Sequence, residues 1–259
     1  MMRPSTTKLH VELLEKREML SVTASVVNGD TLSVIGDSQP NTIRVTQDTA
    51  ATQWTVMSGN TNLGAFSNIR NITINPKNGP DVVAVQGSQL PGSLTITGGI
   101  VQLTATVSGV PETSQHAAVP LAIGGNLLIT GGAGPDVVQL KSVAAKAALV
   151  ALASGNDQLY VSSAGHDSSD AVVPGLNAQA VAILMGGGDD LVSLGAAVNA
   201  SSRCRIDGGS NSTTSPGDRL TGSTNVHGPS GSQGWLGFET IDSTMLGAKR
   251  LLARAARRA

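Results

Sequence analysis

The chain has 259 residues, enough for one large all-β domain or two smaller ones, and is 40% hydrophobic but only 2% aromatic. Its 31 glycines follow no three-residue period, which excludes collagen, and a charged fraction of 14% argues against a charge-rich disordered chain. The net charge of −1 is uneven: residues 19 to 246 carry eight Lys and Arg against fifteen Asp and Glu, a net of −7, whereas the last thirteen residues hold five basic side chains and no acid. An acidic body without a basic stripe excludes nucleic acid as a natural partner of the folded part. One cysteine, Cys204, allows no intramolecular disulfide, and no run of 18 apolar residues predicts a transmembrane helix.

Residues 1–21 are helical in pattern, with Leu9, Leu13, Leu14 and Leu20 near three- and four-residue spacing among charged neighbours. From Val22 the period changes to two. Leu32 and Val34, Ile43 and Val45, and Trp54 and Val56 predict short strands separated by Asn28-Gly29, Gly36-Asp37 and Gly59-Asn60. Strands are expected at Ile72–Ile74, Leu94–Ile96 and 101–107, then a surface loop over 108–118. Residues 143–153 are alanine-rich, which favours a helix, yet the next turn requires a strand before it, so 149–152 is read as strand. Residues 208–234 are rich in Gly, Ser, Thr, Asn and Pro and predict a long loop, after which Trp235 and Phe238 suit a terminal coil. Cys204 and Ile206 form a further strand in which Cys204 reads as a small buried hydrophobe rather than a reactive thiol.

One unit recurs along this stretch. Gly131-Gly132-Ala133-Gly134-Pro135-Asp136 makes a turn suited to glycine, and Val138 and Leu140 then point to one face of a strand. Related turns precede Asn41, Asp81, Asp157 and Asp190, a weaker one precedes Asp218, and a reduced copy begins at Gly29. Except after Asp218, apolar residues follow at +2 and +4. Repetition of a turn and a strand, each unable to bury its face alone, predicts an all-β fold over 22–246, a parallel β-helix or β-solenoid with short terminal helices; a β-sandwich is the alternative. Val83, Val138, Leu159 and Val192 are expected to be buried and each turn Asp exposed.

Two resemblances attach to these residues. Residues 14–21, Leu-Glu-Lys-Arg-Glu-Met-Leu-Ser, resemble the Leu-Glu-Pro-Arg-x-Leu-Leu motif of large exported planctomycete proteins, with Lys16 at the proline and Met19 at one leucine. That likeness implies an extracellular or cell-surface location. An N-terminal helix capping the end of a β-stack is the other reading of residues 1–21. Residues 131–139 fit the nonapeptide Gly-Gly-x-Gly-x-Asp-x-apolar-x of haemolysin-type (RTX) calcium repeats, and residues 185–193 fit it apart from Met185.

The second likeness implies Ca²⁺ as cofactor, with Asp136 and Asp190 as carboxylate ligands, and by extension Asp157 and Asp81. Family sites need tandem nonapeptides, whereas Asp136, Asp157, Asp190 and Asp218 are 21, 33 and 28 residues apart. Such spacing is a whole circuit of a wider helix, so the aspartates are read either as turn residues or as calcium ligands. For catalysis little stands out. His10, His116, His166 and His227 fall in the N-terminal segment or in predicted loops, without paired spacing. Arg44, Arg70 and Lys77 could serve a polysaccharide lyase as base, but nothing in the sequence groups them with acids.

The functional expectation is therefore a non-catalytic secreted or surface module with a structural or binding role, meeting cell-surface polysaccharide or other surface proteins. A carbohydrate-active enzyme on the same scaffold is the alternative. Residues 247–259 predict a basic helix, either an end cap or a weak contact to an anionic surface.

Overall fold

In a computed structural model of the chain, the described residues are 22–98, 103–111, 117–210, 217–228, 233–238 and 240–241. The segments expected to be helical, 1–21 and 247–259, lie wholly outside them, as do residues 112–116 of the predicted 108–118 loop.

The protein is all-β, with two mainly parallel sheets. From residue 71 onward the chain alternates between them. Asn71–Lys77 lies in the first sheet, Asp81–Gln86 in the second, Leu94–Gly98 in the first and Leu103–Ser108 in the second. The alternation continues through Leu121–Thr130, Val137–Lys141, Val143–Ala151, Gln158–Ser162, Leu176–Leu184, Leu191–Leu194, Val198–Asp207 and Arg219–Thr221. Each return pairs in parallel with the previous strand of its sheet, so the chain advances by one strand per circuit. The register of the first sheet is interrupted between Ile123 and Asn126 and between Ala178 and Ala180.

This register explains the period of two. Val138, Leu159 and Val192 are direct neighbours across strands and fully buried, as is Val83 in the same sheet. Across the interior, Ile96, Ile129, Val150, Ile183 and Ile206 form a second buried row. Branched aliphatic side chains tile most of a thin interior, with Trp54 buried among them and Phe66 and Phe238 packed against it, so few aromatics are needed. Each such side chain contributes roughly 1.5–3 kcal/mol by leaving water.

Three expectations change. The first circuit is not purely parallel: Thr23–Val27 pairs antiparallel with Thr31–Ile35, and Gln53–Ser58 with Thr61–Ser67 forms a hairpin on the edge of Thr42–Gln47. Alternation alone cannot distinguish these arrangements, because both strand types repeat every second residue. The predicted loop over 208–234 contains the strands Arg219–Thr221, Val226–His227 and Gln233–Leu236 and a short 3₁₀ turn at Ser223–Asn225. These strands have little apolar pattern; they extend the ladders of Leu191–Leu194 and Val198–Asp207, a tertiary influence that overrides local composition. The turn aspartates are buried, not exposed. Residues 143–151 are strand throughout, so pairing on both sides overrides the helical preference of alanine.

Cys204 is 2% exposed within Val198–Asp207, and burial pushes its thiol up to about 11. Thiolate is the reactive form. The native protein is therefore expected to resist iodoacetamide at pH 8 and to be labelled fully in denaturant; labelling at equal rates in both would contradict the packing of this strand.

Candidate functional site

The recurrent turns stack on one another. Residues 131–136, 152–157 and 185–190 are equal in length and join the same two sheets, and they are stitched by Gly155 N–H to Gly187 O (2.7 Å) and Gly187 N–H to Ala153 O (3.2 Å). Contact between the stacked backbones explains the glycines. Gly155 and Gly188 both have φ +144°, and a Cβ on Gly188 would strike the Gly155 carbonyl, as one on Gly155 would strike that of Gly134. A side chain at either position would push adjacent turns apart.

At the end of each turn stands the aspartate, where the parallel ladder of the second sheet begins. Its carbonyl accepts from the next circuit in the ordinary way, as in Gln158 N–H to Asp136 O and Leu191 N–H to Asp157 O, both 2.8 Å. Its own N–H meets a carboxylate instead of a carbonyl. Asp136 N–H donates to Asp157 Oδ1, Asp157 N–H to Asp190 Oδ1 and Asp190 N–H to Asp218 Oδ1, each at 2.8 Å. Asp136 Oδ2 closes the top of this run by accepting Gly132 N–H at 2.9 Å. The same device recurs earlier, where Asp81 Oδ1 accepts both Asn41 N–H (2.9 Å) and Asn41 Nδ2–H (3.0 Å). Asp81 and Asp136 are separated in the row by Leu103, which pairs with Asp81.

All four sequence-predicted residues, Asp81, Asp136, Asp157 and Asp190, thus belong to one row, joined by Asn41 and Asp218. All six are at most 2% exposed. A turn aspartate is ordinarily expected to serve its own turn in water. Here the carboxylates of Asp81, Asp157, Asp190 and Asp218 face inward because the N–H each satisfies comes from a neighbouring circuit 21 to 40 residues away, while Asp136 serves Gly132 of its own turn. A further side chain missed from sequence is Asn156, whose Oδ1 accepts Asp189 N–H at 3.1 Å on the outer side of the turn. Asp189 and Asp190 do not converge, since one is half-buried and the other fully buried.

No family model, curated protein or solved structure matches this chain in three separate comparisons. Its chemistry rests on its own geometry.

Burial dominates the electrostatics of the row. Removal from water pushes Asp157 up to about 7, against the opposing Asp136 N–H bond and with added repulsion from Asp190 and Asp136. Asp190 is pushed up to about 6, first by burial and then by Asp218 and Asp189, while the Asp157 N–H bond opposes the rise. Asp81 is also raised by burial, partly offset by Asn41. Oδ2 of both Asp157 and Asp190 is buried without a hydrogen-bond partner among the described residues. A protonated carboxyl removes the charge that would otherwise be stranded there.

Among the described residues, no three or more His, Cys, Asp or Glu side chains gather in a metal-binding group. The basic residues singled out from sequence stay dispersed: Arg70 pairs loosely with exposed Asp30 at 3.9 Å, and Arg44 and Lys77 lie on different strands. His227 lies in a short strand rather than a loop, exposed beside Asn199. No helix among the described residues is long and apolar enough to cross a membrane.

Proposed function

We propose that the chain is a parallel β-solenoid of the cell surface or extracellular space with a structural and binding role. The observation supporting this most directly is the run from Asp136 to Asp218, in which each carboxylate after the first accepts a backbone N–H of the preceding circuit. The acids recurrent in the sequence are thereby committed to holding circuits together, inside the protein and away from any substrate. The location rests on the motif-like residues 14–21, and the partners are surface polysaccharide or other surface proteins. A polysaccharide lyase on this scaffold is tested by incubating the protein with a polyuronate: reversible retention without new reducing or unsaturated chain ends is expected, and cleavage overturns the non-catalytic reading.

Calcium is the second proposal, because Oδ2 of Asp157 and of Asp190 are hard oxygen donors without hydrogen bonds. The two readings give different melts. If the carboxylates act on the backbone alone, the melting temperature is the same in millimolar Ca²⁺ and in chelator, and Asp157→Ala lowers it equally in both. A rise with Ca²⁺ that Asp157→Ala abolishes establishes calcium binding instead.

A further inference from the structure

The outer face of the first sheet carries a groove of about 580 Å³. Its floor is built from two neighbouring columns of outward side chains. One runs Leu128, Leu149, Ala182 and ends at Arg205; the other runs Asn126, Ala147, Ala180 and ends at Arg203. Both columns therefore change from aliphatic or small to guanidinium at the same strand, Val198–Asp207. At a strand spacing of about 4.8 Å, the stretch from Leu128 to Ala182 is about 10 Å long. Arg205 is engaged by Asp207. Arg203 is exposed and makes no hydrogen bond or ion pair among the described residues.

We propose that this groove binds an aliphatic carboxylate, with the tail along Leu128, Leu149 and Ala182 and the head on the Arg203 guanidinium. Several features favour this ligand over others. Charge complementarity places one anion at one end, since a guanidinium pairs with a carboxylate through two parallel hydrogen bonds. The lining holds no aromatic ring on which a sugar face could stack. The floor strands Leu121–Thr130 and Val143–Ala151 are hydrogen-bonded to neighbours on both sides, so no sheet edge is open for an added peptide strand. A polyanion would need a line of cations, and here the single unengaged one stands on a body of net charge −7 over residues 19–246.

Calorimetric titration of the full chain with hexanoate, octanoate and decanoate, below their micelle concentrations, tests the proposal. Saturable binding of one decanoate per chain is expected. Affinity should rise about fourfold per methylene until the tail outruns the apolar stretch. Arg203→Gln should weaken decanoate binding by about tenfold or more, and Arg44→Gln, on the other sheet, should leave it unchanged. Equal binding by Arg203→Gln, equal binding of decyltrimethylammonium, or no saturable binding of decanoate overturns the proposal. Because the groove lies on the outer face, its failure leaves the reading of the stacked turns intact, and failure of that reading leaves this one standing.

Discussion

Gly188→Ala is expected to be among the most damaging single substitutions in the protein, although it adds one methyl group. The added Cβ would meet the Gly155 carbonyl of the adjacent turn, on a backbone held at φ +144°. An L-residue in that conformation costs on the order of 1–3 kcal/mol, and forcing stacked backbones apart costs about as much again. The total, about 2–6 kcal/mol, is a large part of the roughly 5–15 kcal/mol that stabilises an ordinary domain. The displaced turn also carries Asp190, so the bond its Oδ1 accepts from Asp157 N–H should be strained with it. Gly195→Ala is the matched control, since its Cβ would lie 3.4 Å from the nearest atom, the Val161 carbonyl oxygen, at ordinary contact. Urea denaturation should show a clear loss of midpoint for Gly188→Ala and a change within about 0.5 kcal/mol for Gly195→Ala. Equal midpoints would mean the turns are not stacked as described.

The buried carboxyl row should make the protein more stable in mild acid than at neutral pH. Asp157 titrates near the ordinary value of 3.8 in the unfolded chain and at about 7 in the folded one; Asp190 moves to about 6. Between those limits the folded state binds more protons, so stability decreases as pH rises from about 4 to about 7 and levels off above that. Their contribution is fully present below pH 4. Each tenfold gain in proton affinity on folding is worth about 1.4 kcal/mol. Because the two sites repel one another and do not titrate independently, the combined loss is on the order of a few kcal/mol.

Two variants separate charge from hydrogen bonding. Asp157→Asn keeps an oxygen for Asp136 N–H and removes the titration, so it should exceed the parent in stability at pH 8 and flatten the pH dependence. Asn41 already occupies this row, with its amide hydrogen-bonded to Asp81 Oδ1, Gln39 O and Pro76 O. Asp157→Ala leaves Asp136 N–H buried without its partner and should lose about 1–3 kcal/mol at both pH 5 and pH 8. Denaturation curves of the three proteins at those two pH values decide the matter. A parent-like pH slope in Asp157→Asn would place the titrating group elsewhere.

Much of the architecture is local and could be read from the residues. Val138 and Leu140 after Asp136, like Val192 and Leu194 after Asp190, alternate because a strand sends successive side chains to opposite faces; all four are buried. Glycines at 155, 186 and 188 marked the turns, since positive φ is a property of the residue itself. What the sequence could not decide depends on partners far along the chain. Trp54 and Val56 alternate like any other strand pair, yet belong to an antiparallel hairpin, because pairing direction resides in the neighbour and not in the pattern. Arg219–Thr221 becomes strand through Leu191–Leu194, a partner 28 residues earlier. The aspartates show the same division most clearly. Their recurrence was visible, but an isolated turn leaves its carboxylate in water, and for Asp157, Asp190 and Asp218 it is the arrival of a backbone N–H from another circuit that makes burial of that oxygen favourable.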